Sequence, residues 1–243
     1  MESEFIVRTN HLYKDFKGTN IINDCNMNVR RGSIYCLVGK NGAGKTTIFK
    51  ILLGLTSVTK GEAIVFDNKS QVGNLDILHR TGSILENPIF YENSSAVQNL
   101  KIHLAYRGIA DDKKIENALI ETGLDGITEQ PVSSLSIGMR QRLAIARAIV
   151  HEPELLILDE PINGLDALGI KMIRKLFRKL SKQGTSIILS SHLLSEVELV
   201  ADYVAFLNNG TIVEEVETKN MISNRLEDYF MKNILKEQSY EYS

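Results

Sequence analysis

The stretches 5–9 and 21–29 read as strands, with Cys25, Met27 and Val29 alternating with polar residues in the second, and a shorter apolar run follows at 33–38. A glycine-rich stretch then gives way to apolar residues at helical spacing from about 45 to 55. Strand, glycine loop and helix together open an α/β unit. Short runs at 63–66 and 83–85 read as further strands with little between them. From about 91 to 135 the period becomes helical: Val97, Leu100 and Leu104 share one face, then Ile115, Leu119 and Thr122. No strand is evident there, and the segment reads as an inserted helical lobe. Beyond it, apolar strands at 155–158, 186–189 and 204–207 alternate with helices near 137–150, 166–183 and 193–201. That alternation predicts a largely parallel sheet with helices on its faces. At the end of the chain Ile222, Leu226, Tyr229, Phe230 and Ile234 predict a helix with one apolar face, which either packs back on the domain or docks on a partner.

Composition narrows the class without naming it. The 243 residues are 43% hydrophobic and 24% charged with a net charge of -2, the proportions of a soluble domain large enough for one core and a lobe. So balanced a charge supplies no general drive toward nucleic acid or anionic membrane. Lys171, Arg174, Lys175, Arg178, Lys179 and Lys182 do fall at helical spacing, but opposite Ile173, Leu176, Phe177 and Leu180 and without interleaved aromatics, so they read as a solvated helix face and no nucleic-acid partner is expected. No apolar stretch reaches the roughly 18 residues of a spanning helix, and Met1-Glu2-Ser3-Glu4 lacks a basic, then apolar, leader. A cytoplasmic location is expected. Cys25 and Cys36 lie in strand-like stretches and read as small core residues.

The chemistry begins at Gly39-Lys40-Asn41-Gly42-Ala43-Gly44-Lys45-Thr46, two glycines spaced for a phosphate loop and followed by Lys and Thr. Backbone N–H groups of such a loop curl around phosphate oxygens, and the helix behind it presents its positive end. Gly39, Asn41, Gly42, Ala43, Gly44, Lys45, Thr46 and Thr47 are therefore the candidate nucleotide ligands, with Lys45 reaching the β- and γ-phosphates and the Thr46 hydroxyl placed for Mg²⁺. The apolar run Leu155–Leu158 ends in Asp159-Glu160, two carboxylates at the carboxyl edge of the predicted sheet, where open α/β sheets bind ligands. Asp159 is placed to hold Mg²⁺ and Glu160 to accept a proton from an attacking water.

A third segment, Leu135-Ser136-Ile137-Gly138-Met139-Arg140-Gln141-Arg142, precedes that strand, and with it the chain closely resembles the ATP-binding cassette (ABC) ATPases from about Phe5 to Thr211. The resemblance implies a P-loop α/β fold with a mostly parallel sheet, an antiparallel β part and an inserted helical lobe. The chain is then one domain, with core at 1–90 and 136–215, lobe at 91–135 and terminal helix at 216–243. It implies that Ser136, Gly138 and Gln141 belong to the signature that binds the γ-phosphate held by a second subunit. Phe16 resembles the aromatic on which adenine stacks, with Tyr13 the alternative. Asp166 matches the loop that communicates across the dimer, and His192 the switch histidine at the γ-phosphate.

The departures from the family pattern are informative. The signature reads Ser-Ile-Gly-Met, Ile162 stands at a usually polar position, and Glu86 stands where most members carry the glutamine that senses Mg²⁺ and the membrane partner. A carboxylate supplies oxygen to a metal but cannot donate a hydrogen bond. Glutamate there, with Leu194-Ser195-Glu196-Val197-Glu198 and the Asn208-Asn209-Gly210 turn, is similar to the bacitracin-resistance and lantibiotic-immunity branch. The resemblance thus implies ATP and Mg²⁺ as cofactors, a homodimer or a paired second cassette, and a separate polytopic membrane subunit at the cytoplasmic face. The competing expectation is an ABC ATPase without a membrane partner, working on DNA, ribosomes or iron-sulfur assembly.

Overall fold

β1 (Phe5–Phe16) and β2 (Thr19–Arg30) form an antiparallel hairpin closed by Lys17 and Gly18, both at positive φ, the two-residue turn whose twist matches that of the strands. A computed structural model of the chain describes residues 3–86, 88–127, 129–220 and 226. β1 runs well past the predicted 5–9, because a register shift between Thr9 and Leu12, with His11 at φ 44°, breaks the alternation before Leu12 restores it. β3 (Ile34–Val38) starts the second sheet, while β4 (Lys60–Val65) and β5 (Asn68–Lys69) complete the first in the order β2-β1-β4-β5.

The second sheet adds β6 (Thr81–Ile84), β7 (Leu155–Leu158), β8 (Ser186–Ser191), β9 (Tyr203–Asn208) and β10 (Thr211–Glu217), in the order β10-β9-β3-β8-β7-β6. All its pairs are parallel except β10 on β9. The helices are α1 (Lys45–Leu52), α2 (Leu75–Arg80), α3 (Ala96–Tyr106), α4 (Asp112–Glu121), α5 (Ile137–Ile149), α6 (Ala167–Lys182) and α7 (Leu194–Glu198).

Because the parallel sheet is covered on both faces, its strands β3, β7 and β8 are buried at every residue. Tyr35 and Leu37 of β3 face Met27, Val7 and the α1 residues Ile48 and Ile51 in one core cluster. Ile34, Cys36 and Val38 face the other way, into a cluster with Leu143 of α5, Phe177 of α6 and, farther out, Leu100 of α3 and Leu119 of α4. Both cysteines are buried, and burial pushes the Cys25 thiol up to about 12. They are core residues with no thiolate character.

Three expectations need correction. The space between β4 and β6 holds β5 and α2, but α2 buries only Ile77, too little to show a helical period. β10 was absent from the pattern because Glu214, Glu215 and Glu217 break its apolar alternation on an edge strand. The terminal helix does not begin at 216: Val216 and Glu217 end β10, and Thr218–Asn220 form a 3-10 turn. The rest of that segment lies outside the described residues apart from Leu226, which is buried in the core cluster around α5 and α6.

The basic face of α6 is engaged in ion pairs, Arg174 with Glu196 at 3.1 Å, Arg178 with Asp202 at 2.6 Å, and Lys179 with Glu121. Where α3 meets β6, the Arg107 guanidinium donates to the carbonyls of Leu78, His79 and Thr81 and to His103 Nε2. His151 stands beside His103, ring centroids 5.7 Å apart. Burial, reinforced by Arg107, lowers His103 to about 4 and His151 to about 3. Above pH 6.5 neither the folded nor the unfolded chain protonates these rings. As pH falls below that value the unfolded chain binds protons that the folded one refuses, so stability is lost toward pH 4. Urea midpoints should therefore fall between pH 7 and pH 4.5, and His103→Gln with His151→Gln should remove about 2 kcal/mol of that loss, allowing for partial exposure of the rings.

Candidate functional site

A cleft of about 870 Å³ opens at the carboxyl edge of the parallel sheet. β3 delivers the chain into it at Gly39, where a Cβ would lie 2.5 Å from the Leu207 carbonyl oxygen, so the loop lies against β9 in a way that a side chain would prevent. Gly44 closes the loop at φ 109° and serves as the N-cap of α1. Between them Asn41, Gly42 and Ala43 border the cleft, followed by Lys45, Thr46 and Thr47 on the first turn of α1. Lys45 is 6% exposed, and its ammonium donates to the carbonyls of Gly39 at 2.6 Å and Lys40 at 3.3 Å. The ammonium thus lies folded against the carbonyls of its own loop.

The next strands bring the acids. Thr46 Oγ1 donates to Asp159 Oδ2 at 2.5 Å, and Ser190 Oγ donates to Asp159 Oδ1 at 2.6 Å. Ser190 Oγ also accepts from the Glu160 amide at 2.8 Å, fixing a residue held at φ 48°. Left-handed backbone at a glutamate costs of order 1–3 kcal/mol and persists where neighbours enforce it. His192 Nδ1 lies 2.9 Å from Glu160 Oε2. β6 contributes Glu86 just beyond its end, at φ 58°, with its carboxylate 2.7 Å from Lys50 Nζ. Lys50 holds the Glu86 carboxyl below the usual carboxylate range.

Phe16, at the end of β1, lines the same cleft and is 47% exposed, with Lys14 Nζ 4.5 Å from its ring centroid. Its free face is available for stacking; Tyr13 does not border the cleft. Gln141 lines the cleft and donates to the Pro161 carbonyl at 2.8 Å, which fixes the turn after Glu160. Gly39, Ser136, Gly138, Asp166 and His192 do not border it. Ser136 accepts from the Met139 amide as N-cap of α5, and Asp166 from the Gly169 amide as N-cap of α6. Gly138 abuts the Gly164 carbonyl, where its Cβ would lie at 3.0 Å. Ile137, between Ser136 and Gly138, does line the cleft and is 76% exposed.

A phosphate chain fits the glycine loop, and the Thr46 hydroxyl with the Asp159 carboxylate is a hard-oxygen pair suited to Mg²⁺. Ser190 and Lys50 were not anticipated. The only signal for Ser190 is the polar Ser190-Ser191-His192 at the end of an apolar strand, and Lys50 carries none beyond its place on α1.

Comparison with known proteins agrees with this geometry. The ABC transporter family model matches residues 22–163. An uncharacterized ABC transporter ATP-binding protein of Bacillus subtilis (strain 168), YcbN, is 46% identical over 89% of this chain and 71% of its own length. The bacitracin transport ATP-binding protein BcrA of Enterococcus faecalis is 43% identical over 91% of this chain and 72% of its own. The lantibiotic transport ATP-binding protein SrtF of Streptococcus pyogenes is 41% identical over 96% and 99%. Among solved structures, cbiO1 from Clostridium perfringens, part of the ABC transporter complex cbiONQ, superposes with a TM-score of 0.82 at 25% identity, covering 98% of this chain and 99% of that one. The fold is that of an ABC ATPase cassette, and the chain belongs to the ABC transporter family as an ATP-binding subunit.

Proposed function

We propose that this chain hydrolyses ATP for a transporter that expels antimicrobial peptides of the bacitracin or lantibiotic kind, working on the cytoplasmic face with a separate polytopic membrane subunit. The observation that carries the ATPase reading is the chain of contacts Thr46–Asp159–Ser190–Glu160–His192 along one edge of a glycine-loop cleft. The peptide cargo is supported by the likeness to BcrA and SrtF, named for bacitracin and lantibiotic transport.

ATP enters with its adenine on Phe16 and its phosphates in the loop Gly39 to Thr47. Mg²⁺, when bound, would neutralise the charge that develops on hydrolysis. Thr46 and Asp159 hold the metal side of the site. Glu160 takes a proton from the water that attacks the γ-phosphorus, and the bond to the bridging oxygen breaks, leaving ADP and phosphate. His192 orients Glu160 and faces the γ-phosphate. Ser136 and Gly138 do not border the cleft of their own chain, although Ile137 between them does, and in this reading they serve a second cassette packed head to tail. In that pairing the amide end of α5 meets the partner's γ-phosphate. Closure around two nucleotides and release after hydrolysis give the two states whose differential contacts drive the membrane subunit.

Cells lacking this chain should become more sensitive to bacitracin or to lantibiotic peptides in growth assays, and restoration of the gene should reverse it. Unchanged sensitivity to both peptide classes, with sensitivity gained toward an unrelated compound, would remove the peptide cargo and leave the ATPase reading standing.

A further inference from the structure

Glu86 adds a negative charge to a cleft that already carries Asp159 and Glu160 and is shaped for a polyphosphate. The sheet makes the crowding specific. Ile84 of β6 pairs with Leu158 of β7, and Glu86 and Glu160 each follow two residues later, beyond the ends of these neighbouring strands. Asp159 is tied to that edge by its amide, which donates to the Ile84 carbonyl at 2.8 Å. Lys45 is committed to the phosphate loop through Gly39 and Lys40.

Lys50 stands opposite the added charge. It occupies the last turn of α1, four residues after Thr46 and therefore on the same helix face, one turn beyond the hydroxyl assigned to the metal. A lysine at a helix C-terminus ordinarily extends into water. Here Nζ lies 2.7 Å from Glu86 Oε1, across 36 residues of sequence. The pair is substantially exposed, so it contributes little to fold stability. Its consequence is local: the carboxylate is drawn to the wall formed by α1, and its charge is offset before a nucleotide arrives.

We infer that Lys50 is a positioning residue for nucleotide binding, the counter-ion that lets this cleft carry Glu86 and still accept MgATP. The inference rests on the reading of the cleft as an MgATP site. Without Lys50, the Glu86 carboxylate stands unbalanced beside the triphosphate and repels it, whereas a neutral residue at 86 leaves Lys50 with no charge to offset. The two positions are therefore coupled through nucleotide affinity.

The test is a double-mutant cycle on the full-length chain, with the dissociation constant of MgATP measured by titration calorimetry. Lys50→Met should weaken MgATP about tenfold when Glu86 is present, and less than about twofold in the Glu86→Gln background. Lys50→Arg, which keeps the charge on a side chain of similar reach, should stay within about twofold of the native chain. Equal losses from Lys50→Met in both backgrounds would overturn the inference, because Lys50 would then act on nucleotide or fold without Glu86. So would no loss in either background, or a loss in Lys50→Arg as large as in Lys50→Met. If the native chain itself fails to bind MgATP, the nucleotide reading fails first, which the same titration reveals before any variant is compared.

Discussion

Glu160→Gln should lower ATP turnover by roughly 10²–10³-fold while leaving MgATP bound, and should hold the chain as a dimer in MgATP on size-exclusion chromatography. The substitution replaces one carboxylate oxygen by an amide and keeps the volume. The backbone at φ 48° and its anchor on Ser190 Oγ do not involve the side chain, so the loop should keep its shape. The contact to His192 also survives, with an amide in place of the carboxylate 2.9 Å from Nδ1. What is lost is basicity, the one property needed to take a proton from water. Turnover equal to the native chain would mean that another group, or solvent alone, receives that proton.

Lys45→Ala should instead remove nucleotide binding, with ATP affinity down by about 10²–10⁴-fold in equilibrium titration. Two charge-assisted hydrogen bonds to phosphate oxygens are worth roughly 1.5–3 kcal/mol each, and each 1.4 kcal/mol is a factor of ten. The buried ammonium donates to the carbonyls of Gly39 and Lys40, so its loss also removes a donor from the Gly39 carbonyl, while the Lys40 carbonyl keeps the Ala43 amide. A second reading separates binding from folding. MgATP should raise the melting temperature of the native chain but not that of the variant, because only a state that binds ligand is stabilised by it. An unchanged ATP affinity would remove the phosphate-loop assignment.

The parts of this site that were legible in the sequence are those whose chemistry is local. Gly39 to Thr46 is continuous, and its glycines are demanded by φ 109° at Gly44 and by the Leu207 carbonyl beside Gly39. Asp159-Glu160 directly follows four apolar residues, all buried, so both the strand and its chemical end are visible together. Ser190 and Lys50 were not legible, since each meets its carboxylate only through strand pairing or helix placement over separations of 31 and 36 residues. The edge elements were hidden for a different reason. β10 carries Glu214, Glu215 and Glu217, and α2 buries a single residue, so neither shows the period by which a strand or helix announces itself.

Arg107 has a mechanical consequence. One guanidinium at the end of α3 grips three carbonyls, at residues 78, 79 and 81, which lie where α2 hands the chain to β6. It acts as a rivet joining α3 to the root of that strand, so a push on α3 bends no soft joint there. α3 and the root of Thr81–Ile84 thus form one joined piece, and two residues past the end of that strand stands Glu86, itself held by Lys50.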